Sequence, residues 1–232
     1  MAAAKKIVSG DVGIDMIAGP SEVCVVADET ADPRMVAIDL MAQAEHDPLA
    51  ACYLVCFSEE YADEVEAAIA EHMKRSERAE ITTASLDGQG LAVVCQTMDQ
   101  ALGAVNVIAP EHLEMHVAHA MEYLGQIRNA GAIFLGEWTP EAVGDYVAGP
   151  NHTLPTGGTA RYASPLSVEE FVKKSSIIQF SAEALRNDAR AVMQIARHEG
   201  LWAHAESVAL RCAKLGEGDA AASRVCEGGA DE

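Results

Sequence analysis

The feature that most constrains this chain is a repeated alternation of short aliphatic runs with longer amphipathic stretches. EVCVVAD (Glu22–Asp28), ACYLVCF (Ala51–Phe57) and LAVVC (Leu91–Cys95) are nearly continuous apolar runs, the pattern of strands buried on both faces. Shorter strands follow at Leu113–Val117 and Ala132–Leu135. Between them lie helix signals. Asp32 and Pro33 read as N-cap and first residue of a helix that runs through MVAIDLMAQAEH to a stop at Pro48. Ser58-Glu-Glu opens a helix reaching about Arg75, another spans Met98 to Asn106, and a further one ends near Asn129. This order predicts an α/β fold: a mostly parallel sheet with helices on both faces, an incomplete Rossmann-like domain.

The ends of the chain read differently. MAAAKKIVSG resembles the last turns of a helix with nothing before it to pack against, as though the chain begins inside a larger architecture. Residues 136–166 are rich in Gly, Pro, Thr and Asn and read as a long structured loop; its Trp, Tyr, Asp and His suggest a functional one. From Ser167 the pattern is helical again, broken by a strand-like Ser175–Phe180, with helices over 182–198 and 201–215 separated by Gly200. The expected organisation is therefore 1–166 as the α/β region, 167–215 as a small helical region suited to dimerisation, and 216–232 as a disordered tail.

Composition narrows the function classes. With 36 acidic against 16 basic side chains the formal charge is −20, which disfavours nucleic acid as a partner. Hydrophobic residues make up 50% of the chain, so it is no acidic disordered segment. No apolar run approaches the ~20 residues of a membrane span and the first residues lack a signal-peptide pattern, so a cytoplasmic protein is expected. The six cysteines sit mostly in apolar runs and read as reduced, buried thiols rather than disulfides.

Several polar residues are candidates for chemistry. Gln43 and His46 lie three apart on one helix and share a face that could hold a metal ion, although His46 could equally complement the helix dipole. Glu111 and His112, following Pro110 just before a strand, are a possible proton-transfer pair or an ordinary surface pair. Asp145 and His152 stand in the long loop, where side chains on a rigid scaffold are good functional candidates. Glu199 and His204 flank Gly200 and would not share a helical face unless that break re-aims them. His72, His116, His119 and His198 show no partner pattern and read as surface or strand residues. No G-x-G-x-x-G, P-loop, G-x-S-x-G or H-E-x-x-H motif is present.

Read together, five blocks carry a resemblance: GIDMIAGPSEV (Gly13–Val23), DLMAQAEHDP (Asp39–Pro48), APEHLE (Ala109–Glu114), NAGAIFLGEWTPEAVGDYVAGPNHTLPT (Asn129–Thr156) and EGLWAH (Glu199–His204). In this order they resemble the histidinol dehydrogenases, over about residues 1–215, corresponding to roughly the second half of the usual enzyme. That family oxidises L-histidinol through the aldehyde to L-histidine, the last step of histidine biosynthesis, with two NAD and a zinc ion.

The resemblance implies zinc ligands at Gln43, His46, Asp145 and His204, and a proton-transfer pair at Glu111 and His112. It implies substrate contacts from Ser21, Gln43, His46, His112, Asp145, His152, Glu199 and His204, and a homodimer in which Glu199 and His204 enter the partner's site. NAD-contacting residues are not assigned, because much of the family's NAD surface lies in the other half. A separate amino-terminal half is one implied partner. The alternative is a zinc-binding or dimerisation remnant without NAD affinity.

Overall fold

The computed structural model describes residues 1–216, so the expected tail falls outside the described residues. They form two compact units divided between Lys173 and Lys174.

The first unit is built on five parallel strands: β1 (Glu22–Ala27), β2 (Ala51–Cys56), β3 (Gly90–Val94), β4 (His112–His116) and β5 (Ala132–Leu135), in the order β3-β2-β1-β4-β5. Starting at β1, the chain winds outward to β3, returns across the sheet, and continues from β4 to β5. The order therefore reverses between β1 and β4. The expected α/β class, with its parallel sheet and helical cover, is what folds.

Strand alternation sorts the side chains between two cores. Val23, Val25 and Ala27 of β1 and Cys52, Leu54 and Cys56 of β2 face α2 (Pro33–Ala44) and α3 (Glu59–Met73). Cys24, Val26, Leu113 and Met115 face the other way, against Ala101, Leu102 and Val105 of α5 (Met98–Ile108). Both faces are thus covered, as long aliphatic runs require. Helix starts follow the capping signals: the Asp32, Ser58 and Thr97 side chains each accept a backbone N–H of the following first turn. Cys24, Cys52, Cys56 and Cys95 are free and buried, as expected, and Cys212 is buried; Cys226 lies outside the described residues.

Several expectations change. Helix α1 is Ala2–Val8, and an unforeseen α4 (Ala79–Gln89) precedes β3 because its apolar residues are too sparse to mark a face. The stretch toward Asn129 folds only as a 3-10 helix, Ala120–Gln126. The long loop contains α6 (Glu141–Tyr146) and is pinned to the start of β1 by Gly19 N–H on Thr156 Oγ1 at 2.5 Å and Gly157 N–H on Glu22 Oε1 at 2.8 Å. After Ser167 there is one 3-10 turn, Val168–Phe171, and Ser175–Phe180 forms no strand: Ile177 and Ile178 are exposed.

In the second unit α7 (Ala182–His198) and α8 (Trp202–Gly216) pair through Ala189, Met193, Ala196, Ala205 and Cys212. Gly200, at φ +73°, makes the break between them, a backbone conformation that a side chain strains. No helix among the described residues is long and apolar enough to cross a membrane.

Leu113 is fully buried in the middle of the sheet. Its truncation to Ala should therefore cost about 2–5 kcal/mol of unfolding free energy, read as a lower urea midpoint.

Candidate active site

β4 reads His112-Leu113-Glu114-Met115-His116. Because alternate residues share a face, Leu113 and Met115 enter the aliphatic core and His112, Glu114 and His116 line up together on the opposite side. All three polar side chains are buried. Such a polar file inside a parallel sheet is costly unless each member finds partners.

His112 lies at the amino end of β4, beside the amino end of β1, where Val23 is its register partner. Its Nδ1 donates to the Glu22 carbonyl at 3.1 Å, since a carbonyl can only accept. The carboxylates around Nδ1, Glu141 at 3.7 Å and Glu111 at 3.8 Å, favour the same tautomer. Nε2 therefore carries the ring's lone pair. It is buried with no hydrogen-bond partner, and Asp145 Oδ1 stands 3.9 Å away. Burial holds the imidazole below its ordinary pKa, against the raising effects of the Glu22 carbonyl and the Asp145 and Glu114 carboxylates, which favours the neutral form able to accept a proton.

Glu111 is buried immediately before the strand. Its Oε2 accepts the Glu22 backbone N–H at 2.9 Å. Burial pushes its carboxyl up to about 8, against the lowering effect of that bond and of the Ser21 side chain. The expected pair is thus a buried one at the edge of the sheet, with Ser21 beside it.

α2 supplies Gln43 and ends at Ala44, earlier than expected, so His46 stands in the turn just after it. The Gln43 amide is satisfied with its NH2 on Glu141 Oε1 and Oε2, at 3.2 and 3.3 Å, and its oxygen accepting from His46 Nδ1 at 3.2 Å. That orientation leaves His46 Nε2 as the lone-pair nitrogen and turns the Gln43 oxygen away from Glu141. The short helix α6 carries Glu141 and Asp145, four residues apart and so on one face. Glu141 was not among the residues expected, yet it joins Gln43 to His112. Burial, then the negative charge of Asp145, raises its pKa to about 9. A Cβ at Gly144 would lie 2.5 Å from the Phe134 ring, and that ring stands 6.0 Å from His112, so α6 approaches β5 this closely only with glycine there.

A cavity of about 320 Å³ opens beside His112 and Asp145, with Phe134, Leu154 and His152 on its walls. The structure thus brings Gln43, His46, Glu111, His112, Asp145, Ser21 and His152 around one end of the sheet. Glu199, the C-cap of α7, and His204, in the first turn of α8, are exposed residues of the second unit. His116, expected at the surface or in a strand, is a buried strand residue beside Glu114 and Asp39. Sequence reasoning missed Glu141, Glu114, Asp39 and the tautomer-setting Glu22. The signals were present in the i, i+2, i+4 polar spacing of HLEMH and the i, i+4 spacing of Glu141 and Asp145.

A divalent ion fits this geometry. Three donor atoms, one each from His112, Glu141 and Asp145, lie within 4.8 Å of one another, with the Gln43 amide bonded to Glu141 and His46 bonded in turn to Gln43. Mixed amide, imidazole and carboxylate donors suit a borderline ion such as zinc. A dinucleotide does not fit the usual place. The turn after β1 carries Asp28, Glu29 and Asp32 instead of glycines, and Asp32 already occupies the start of α2 by accepting the Arg34 N–H at 2.9 Å.

The family model for histidinol dehydrogenase matches residues 1–212. The chain is 50% identical over 216 residues to a histidinol dehydrogenase of Prochlorococcus marinus, covering 93% of this chain and 49% of that protein. It is 54% identical over 208 residues to one from Desulfotalea psychrophila, covering 90% and 48%. A crystal structure of histidinol dehydrogenase from Elizabethkingia anophelis superposes with a TM-score of 0.87 at 35% identity, covering 92% of this chain and 49% of that one. The chain thus spans about half the length of the curated relatives it matches. A match over nearly the whole described chain, in sequence and in fold, establishes that the protein belongs to the histidinol dehydrogenase family.

Proposed function

We propose that this chain is the carboxy-terminal part of a histidinol dehydrogenase, holding the metal and proton-transfer machinery that oxidises L-histidinol through the aldehyde to L-histidine. The observation that carries this reading is His112: a buried imidazole on the wall of a cavity, with its lone-pair nitrogen 3.9 Å from Asp145.

His112 Nε2 takes the alcohol proton as the carbon gives up hydride, and returns it to solvent once the aldehyde has formed. Glu111, in its ionised form, accepts a proton from water as the oxygen adds to the aldehyde carbon, giving the hydrate. Loss of a second hydride from that hydrate yields the acid. His112 and Glu111 are adjacent in sequence and tied to the same Glu22 backbone, so one substrate position serves both steps.

Gln43, His46 and Asp145 of this unit, with His204 of a partner subunit's second unit, would hold zinc. When bound it supplies Lewis acidity and a fixed anchor for the substrate amine and imidazole. Ser21 beside Glu111, His152 on the cavity wall and Glu199 complete the substrate contacts, and acidic groups suit a cationic substrate. A homodimer that exchanges Glu199 and His204 is supported by the paired α7 and α8, which leave Ile195, Trp202 and Leu210 exposed. The two NAD required as hydride acceptors are assigned to surface outside this chain, because the turn after β1 is acidic. The second reading, a zinc-binding module without dehydrogenase activity, is favoured by that same turn.

The deciding measurement is histidinol-dependent NADH formation by the purified chain, alone and after adding an amino-terminal half. Activity in either case supports the enzyme, whereas zinc binding without turnover in both supports the module. Replacing His46 by Ala should remove stoichiometric zinc, measured by metal analysis after gel filtration; full retention would refute the ligand assignment. In the active assembly Glu111→Gln should slow oxidation of the aldehyde by about 10²–10⁴-fold while sparing the alcohol step far more, read as accumulation of aldehyde.

A further inference from the structure

Two members of the buried file on β4, Glu114 and His116, take no part in the chemistry above. Glu114 is fully buried, and its two oxygens point in different directions. Oε1 accepts the backbone N–H of Glu141 at 2.6 Å, supplying the cap that Pro140 cannot give the start of α6. Oε2 faces His116 Nε2 at 3.2 Å, and the same nitrogen lies 3.5 Å from Asp39 Oδ2. Flanked by two carboxylates, Nε2 must carry a proton. Asp39 belongs to α2, where Asp39 and Gln43 stand at i and i+4 on one face, and His46 follows in the turn after the helix. The three side chains therefore tie α6 on one side and α2 on the other to a single strand held between two neighbours.

We propose that Glu114, His116 and Asp39 form a brace that sets the distance between α2 and α6, and so between the donors Gln43 and His46 and the donor Asp145. The three are positioning residues, since none of them reaches the cavity. Polar partners of this kind orient metal ligands, and their loss typically weakens the metal without abolishing the fold. The consequence for the metal rests on the zinc reading above, while the brace itself rests on these contacts.

The test uses the full chain, with hydrogen exchange of the 141–146 backbone amides and zinc affinity by competition with a chromophoric chelator. Glu114→Ala should speed exchange over 141–146 about tenfold or more and weaken zinc about ten- to a hundredfold. Glu114→Gln, which retains an oxygen for the Glu141 N–H but sets an NH2 against the His116 Nε2 proton, should speed exchange over 141–146 by less than Glu114→Ala does. Asp39→Ala should speed exchange over 141–146 by about threefold or more, although Asp39 lies on another helix, because His116 then loses one of its two anchors.

Unchanged exchange over 141–146 in either alanine variant overturns the brace. So does acceleration that is equal in β2, which would indicate general loosening. If the parent binds no zinc, the metal assignment fails and the brace is judged on exchange alone.

Discussion

The structure depends on burying a polar face of one central strand. In β1 and β2 the side facing α2 is Val, Ala, Cys and Leu, whereas in β4 it is His112, Glu114 and His116. Unpaired, each would cost about 1–3 kcal/mol or more in such a layer. The surrounding elements answer that cost: the Glu22 carbonyl accepts from His112, the start of α6 donates to Glu114, and Asp39 meets His116. α6 is only six residues long, too short to persist alone, and its start is determined by this strand. Two nitrogens of the file, His112 Nε2 and His116 Nδ1, find no hydrogen-bond partner among the described residues, and His112 lines the cavity.

The edge of the sheet that carries the site is equally informative. Open parallel sheets ordinarily bind ligands beyond the carboxyl ends of their strands, where the strand order reverses. Here the order reverses between β1 and β4, but Glu22, Glu111 and His112 stand at the amino ends of those strands. The carboxyl end of β1 instead enters an acidic turn in which Asp28 holds the Thr30 and Ala118 backbone N–H groups. The amino ends of β1 and β4 thus carry the candidate acid–base groups, and the turn after β1 offers carboxylates where a pyrophosphate cradle would need glycines.

Much of this was legible in the sequence, for identifiable reasons. The aliphatic runs of β1 and β2 and the helix starts at Asp32 and Ser58 are local signals, and the fold class follows from them. α4 escaped because its face is weakly apolar, and Ser175–Phe180 misled because a β-rich composition does not supply a pairing partner. Within the site, Glu111 and His112 looked like a surface pair until the block they belong to was read as a whole. Glu141 gave no signal beyond its spacing from Asp145, because its role depends on Gln43 and His112, which come from two distant segments. Tertiary partners of this kind leave no trace in local pattern.

These points together account for how a chain spanning about half the length of its relatives can hold this cluster of candidate groups. The acid–base groups are placed by backbone contacts inside one unit: Glu22 holds both Glu111 and His112, and Gly157 ties Glu22 to the long loop. None of these contacts requires a residue from outside residues 1–173. The cost of keeping Glu111 and Glu141 buried, visible in their carboxyls pushed up to about 8 and about 9, is offset in the folded chain only in part by hydrogen bonds. A divalent cation among Gln43, His46 and Asp145 would remove most of the remaining penalty, since it stabilises the ionised form of the carboxylates that burial disfavours. On this reasoning the metal proposed above would also serve as the counter-charge that lets a neutral His112 and an ionised Glu111 coexist.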